Sequence, residues 1–145
     1  MNKAYIIDNL DEGEWEIDYD YLEKLEDNVK KAKEKADIVI LLMHSGGQFN
    51  LEVGEFTEKI TNYLSKLQID LIIGNHPHIV QKYEIKNKKP IFFSLGNFIF
   101  SPCSEYVNDE GKPEYSIKVN TYWNKKENKI ERIKFEILKV ILIRK

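Results

Sequence analysis

A single cysteine, Cys103, stands among the 145 residues of this sequence. One thiol excludes an internal disulfide and a cysteine-based zinc site. Charge of one sign is not in excess either: Lys and Arg number 22, Asp and Glu 24, and the net charge is −2. A nucleic-acid binder needs a basic surface to displace counterions from phosphates, so that class is disfavoured. Long apolar runs are also missing. Nothing approaches the ~18–20 residues of a membrane span. The opening MNKAYIIDNLDEGEWE lacks a basic-then-apolar signal pattern, so a soluble chain that is not exported is expected. Proline (4) and glycine (7) are sparse, and the composition excludes disorder, collagen-like repeats and low-complexity linkers.

What is present suits one folded domain over residues 1–145: hydrophobic residues reach 42% and charged residues 32%. Ala4–Ile7 is a short apolar run that reads as a strand, followed by an acidic loop from Asp8 to Asp20. From Tyr21, apolar residues at Leu22, Leu25, Val29, Ala32 and Ala36 draw one stripe on a helix. Asp37–Met43 is continuously apolar after its first residue and β-branched in part, the pattern of a strand buried on both faces. A second helix is expected with Val53, Phe56, Ile60, Leu64 and Leu67 on its stripe, and then a buried strand, Asp70–Ile73. Strand, helix, strand is a βαβ unit, so these two strands should be parallel.

Downstream, Ile79–Lys86 and Pro90–Ser94 flank Asn87-Lys88-Lys89 as a hairpin would. Asn97–Ser101 continues as a strand, and Pro102–Pro113 is a polar loop. Tyr115–Trp123 and Ile130–Ile143 flank a further turn, with Ile133, Phe135 and Ile137 alternating with charged residues. The fold class expected is α/β, a βαβ unit feeding a mixed sheet. Tyr19, Tyr21, Tyr122, Trp15 and Trp123 are expected to cover the core rather than to stack on a substrate.

The sequence has three histidines, His44, His76 and His78, and all follow the C-terminal ends of the two buried strands. Parallel strands put those ends on one edge of the sheet, where α/β folds build ligand sites. One such histidine alone is more often a strand cap; three together point to metal, since neutral imidazole is a common ligand. Pro77 should hold its neighbours extended and fix the spread of the two imidazoles beside it. Ser45-Gly46-Gly47 and Gly74 allow sharp turns and close approach. Asn97, in Ser94-Leu-Gly-Asn-Phe98, is a candidate to orient a histidine from behind, or only a turn residue. Glu84 is a weaker candidate for an outer carboxylate, the alternative being an ordinary surface position.

The order A-D-I-V-I-L-L-M-H-S-G-G-Q-F-N, D-L-I-I-G-N-H-P-H-I-V-Q, P-I-F-F-S-L-G-N-F-I-F resembles the CapA family of capsule and poly-γ-glutamate synthesis proteins. The likeness covers roughly Ala36 to Phe100 and extends weakly upstream to Tyr21. It implies about half of a calcineurin-like metallophosphoesterase sandwich, α/β/β/α in layers. It also implies that His44, His76 and His78 are metal ligands and catalytic residues. Zn²⁺ and Mn²⁺ are the candidate ions, one or two of them. Two departures accompany the likeness. Many family members have an acidic residue near Gln48. The family's Gly-Asp and Asn-containing segments have no match here, and Asp8 does not sit in their context.

The resemblance therefore implies the C-terminal part of a bacterial CapA-like protein, whose N-terminal half is a partner encoded separately or cut away. Two functional readings stay open: a metal-dependent hydrolase with an incomplete site, or a non-enzymatic remnant or polymer-binding module. Family members usually act outside the membrane behind an anchor, and this chain shows none, so its location is left unassigned. The capsule polymer or its precursor is the expected ligand, and a bared sheet edge should promote self-association.

Overall fold

The computed structural model describes residues 18–100, 115–139 and 141–142, with the backbone alone at 99–100 and 141–142. The Ala4–Ile7 strand, Asp8, Trp15, and the Pro102–Pro113 loop with Cys103 lie outside the described residues.

Asp18 opens the first helix, α1 (Tyr19–Lys35), its side chain accepting from the Tyr21 backbone N–H at 3.0 Å. Leu22 and Val29 are buried from its stripe. Strand β1 (Ile40–His44), helix α2 (Glu55–Leu64) and strand β2 (Leu71–Asn75) follow. β1 and β2 are parallel, in register from Ile40 opposite Leu71 to His44 opposite Asn75. Strands β3 (Tyr83–Lys86) and β4 (Lys89–Phe92) form the hairpin. Asn87 and Lys88 both have positive φ, 48° and 65°, the turn geometry whose twist matches the flanking strands. β4 also runs parallel to β2, so the sheet is mixed, with order β1-β2-β4-β3.

Both helices cover the same face. Leu22 and Val29 of α1 and Ile60 and Leu64 of α2 share one core with Met43, Ile72, Ile91 and Phe93. Gly74 is required there: a Cβ would stand 2.0 Å from the Phe93 carbonyl oxygen. The opposite face is only partly covered. Phe135 brings its ring to 6.3 Å from those of Tyr83 and Phe92. It lies in a separate antiparallel pair, β6 (Tyr115–Asn124) with β7 (Lys129–Lys139). A short parallel pair joins β5 (Ile99–Phe100) to β8 (Ile141–Leu142).

Two expectations need correction. The strand expected over Asp37–Met43 starts at Ile40 and is not buried on both faces: Ile40 is 45% and Leu42 75% exposed. The reason is position, because among the described residues β1 pairs with β2 alone and ends the sheet. Tyr19, Tyr122 and Trp123 do not cover the core either. All three are exposed, and the Arg132 guanidinium lies 4.1 Å over the Tyr122 ring.

Candidate metal centre at the histidine edge

β1 ends on His44 and β2 on Asn75, and the parallel pairing sets those residues side by side. The chain then turns at once. Asn75 Oδ1 accepts from the His76 backbone N–H at 2.9 Å, and the Ser45 N–H donates to the Asn75 carbonyl at 3.1 Å. The Phe49 N–H donates to the Pro77 carbonyl at 2.8 Å, stitching the loop after β1 to the loop after β2. Gly46 (φ 107°) lets these loops close, since a Cβ there would sit 3.3 Å from the Pro77 ring. Gln81 anchors the outer part of the first loop, its amide donating to the carbonyls of Asn50 and Glu52 at 2.8 and 3.1 Å.

This stitching puts two imidazoles in contact. His44 Nε2 lies 2.9 Å from His76 Nδ1, with the ring centroids 4.5 Å apart. His78 is beside them, its centroid 6.2 Å from that of His76. Its Nδ1 lies 2.9 Å from Asn97 Oδ1. An amide oxygen only accepts, so Nδ1 carries the hydrogen, and in the neutral ring Nε2 then keeps its lone pair. Phe49 stacks on the same ring at 5.4 Å.

The expectation that Pro77 keeps its neighbours extended is overturned. His76 has φ 107° and His78 φ 65°. Proline dictates its own φ; here the bonds from Asn75 Oδ1 and from Phe49 to the flanking backbone bend the chain left-handed at both histidines. Each such residue costs about 1–3 kcal/mol, and such strain gathers at functional sites.

Burial disfavours the charged form of His76 and lowers its pKa, and the neighbouring His44 and His78 lower it further. Neutral imidazole is also the form that ligates metal. Nitrogens sharing one tetrahedral Zn²⁺ stand about 3.3 Å apart, given Zn–N bonds of ~2.0–2.1 Å. At 2.9 Å, His44 Nε2 and His76 Nδ1 stand somewhat closer than that spacing and are the candidate donors to a divalent cation. Among the described residues, no three His, Cys, Asp or Glu side chains are grouped to hold one ion. Glu84 is elsewhere: it sits in β3 at the far side of the sheet, paired with Lys82 at 2.8 Å and Lys86 at 3.1 Å. Those cations hold its carboxyl below the usual range.

Sequence reading missed Phe49, Asn75 and Gln81. Asn75 carried a signal, a polar residue closing an apolar strand beside His76. For Phe49 and Gln81 there was none, because their partners are distant in the chain.

The family described as "Bacterial capsule synthesis protein PGA_cap" matches residues 2–102. Among curated relatives, "PGA biosynthesis protein CapA" of Bacillus subtilis (strain 168) is 32% identical over 92 residues, which is 63% of this chain and 24% of that protein. "Capsule biosynthesis protein CapA" of Bacillus anthracis is 28% identical over 96 residues, 63% of this chain and 23% of that protein. "Uncharacterized protein y4sH" of Sinorhizobium fredii is 32% identical over 75 residues, half of this chain and 16% of that protein. The matched region thus spans about a quarter or less of these relatives' lengths.

Proposed function

The chain belongs to the bacterial capsule synthesis protein family PGA_cap, and from that premise we propose that it serves capsule or poly-γ-glutamate synthesis through a divalent-metal site at the histidine edge. The observation that carries this reading is the convergence of His44 Nε2 and His76 Nδ1 at 2.9 Å. His78, oriented by Asn97 through Nδ1, offers its Nε2 as a further donor. A bound Zn²⁺ or Mn²⁺ supplies a Lewis acid for a phosphoryl or acyl oxygen and an acidified water. The chain's own residues supply the rest: neutral imidazoles at the strand ends, and two stitched loops that keep them in place. In this proposal the chain contributes its histidines to a metallophosphoesterase-like unit.

Calorimetry with Zn²⁺ tests the reading. The parent chain should bind one ion, and the double variant His76→Ala/His78→Ala should bind none while its far-ultraviolet circular dichroism stays unchanged. Equal affinity in parent and double variant would overturn the metal site.

A further inference from the structure

The end of the sheet opposite the histidines holds a cleft in which the metal reading has no part. β2 and β4 are parallel, so their first residues share that end, roughly 13 Å along β2 from Asn75 at ~3.3 Å per residue. The cleft encloses about 460 Å³ between the β3–β4 hairpin and the β6–β7 ribbon, and ligand pockets run to ~300–1,000 Å³. Its walls are aliphatic in large part, with Ile69, Ile85 and Pro90 on one side and Ile130 and Ile133 on the other. Ile85 is 66% exposed, so these walls are open to solvent.

Cations line both sides: Lys88 and Lys89 from the hairpin, Lys129 and Arg132 from the ribbon, against two carboxylates, Asp70 and Glu131. Outside the cleft, Lys33 offsets Asp70 and Glu127 offsets Lys129. With both partners counted, a positive excess still stands there, on a chain whose net charge is −2. The hairpin side is held in place. Asn87 and Lys88 form the left-handed turn, Asn87 Nδ2 donates to Ser65 Oγ at 2.8 Å, and Lys89 Nζ donates to the Ser65 carbonyl at 2.5 Å. Ser65 closes α2, so the two lysines are tied to a helix end. Burial lowers the Lys89 pKa, with Asp70 opposing; an ammonium partly stripped of water gains from an anion brought beside it.

We propose that this cleft binds an acidic peptide chain, its methylene stems against the isoleucine walls and its carboxylates reaching the cations on either side. Aliphatic walls between cations match carboxylates carried on short hydrocarbon stems. A phosphate chain answers to the cations alone, since it has no stems to bury. A single-stranded nucleic acid needs aromatic faces for its bases. Tyr83 is the one ring among the lining residues, and it packs against Phe92 and Phe135 at 4.7 and 6.3 Å. The cleft lies apart from the histidines and does not rest on the metal reading.

Calorimetry of the full chain with a hexaglutamate peptide at low salt tests this. The parent should bind one peptide, and more weakly as salt is raised. Lys88→Asn/Arg132→Gln should weaken binding about 10-fold, two contacts of charged groups being lost; asparagine suits the left-handed turn at position 88. Ile85→Ser should weaken it about threefold or more by removing apolar contact with the stems. Lys24→Gln/Lys31→Gln, which removes two cations from the exposed side of α1, should stay within about twofold of the parent. No binding by the parent, or equal losses in the α1 and cleft double variants, would overturn the site. A linear polyphosphate of similar charge bound as tightly as hexaglutamate, and indifferent to Ile85→Ser, would overturn the acidic peptide as its ligand. His76→Ala/His78→Ala should bind hexaglutamate as the parent does; loss of the peptide there would move it to the histidine edge and overturn the cleft. Failure of Zn²⁺ binding strikes the metal reading alone.

Discussion

Asn97 Oδ1 stands 2.9 Å from His78 Nδ1, and this one contact selects the ring nitrogen that keeps a lone pair. Asn97→Ala should lower Zn²⁺ affinity roughly 10–100-fold, the usual cost of losing a partner behind a ligating histidine. Asn97→Asp, which keeps an acceptor, should restore most of it; calorimetry on both variants checks this. Histidines at the ends of apolar runs, and an asparagine in a Gly-Asn turn, can be seen in one dimension. The left-handed backbone at His76 and His78 cannot. It arises from bonds made by Asn75 and by Phe49, and Phe49 lies 27 to 29 positions away from those histidines.

Among the elements, α1, β1 and β2 meet on one carboxylate. Asp70 Oδ2 accepts from the Val39 N–H at 2.7 Å and from Lys33 Nζ at 2.8 Å. Asp70→Ala should cost about 1–3 kcal/mol, because it leaves a partly buried backbone N–H without its acceptor. Lys33→Met removes a partly buried ion pair and the Nζ bond to the Asp37 carbonyl, and because the Val39 N–H keeps its acceptor it should cost about 1 kcal/mol. Urea unfolding of both variants tests the order. The helix and strand runs were legible because apolar spacing is a local signal. The ends were less so. The stripe expected to reach Leu67 outlasts α2, which stops at Leu64, since Lys66 and Leu67 donate to carbonyls three residues back instead. The strand expected from Ile79 begins at Tyr83; Val80 makes only an isolated bridge to Leu95.

For the whole molecule, the question is what covers β1. Leu42 is 75% exposed on a strand that ends the sheet among the described residues, and such an edge invites pairing with another copy. The chain should therefore form a concentration-dependent dimer or larger species, and Leu42→Lys should suppress this. Sedimentation velocity at several concentrations decides it. A parent chain that stays monomeric throughout would show that the edge does not template pairing.

By itself the sequence determined the α/β class, the βαβ unit, the hairpin at Asn87-Lys88 and the clustering of histidines at strand ends. Each of these follows from periodicity, from strand runs, or from the parallel pairing that a helical crossover enforces. Only the tertiary structure decided that β1 ends the sheet among the described residues with Ile40 and Leu42 exposed, that Glu84 belongs to lysines rather than to the histidines, and that His44 meets His76 at 2.9 Å while His78 turns to Asn97. These outcomes depend on strand order and on hydrogen bonds between loops far apart in the chain. No local spacing encodes which of several distant partners a side chain will reach.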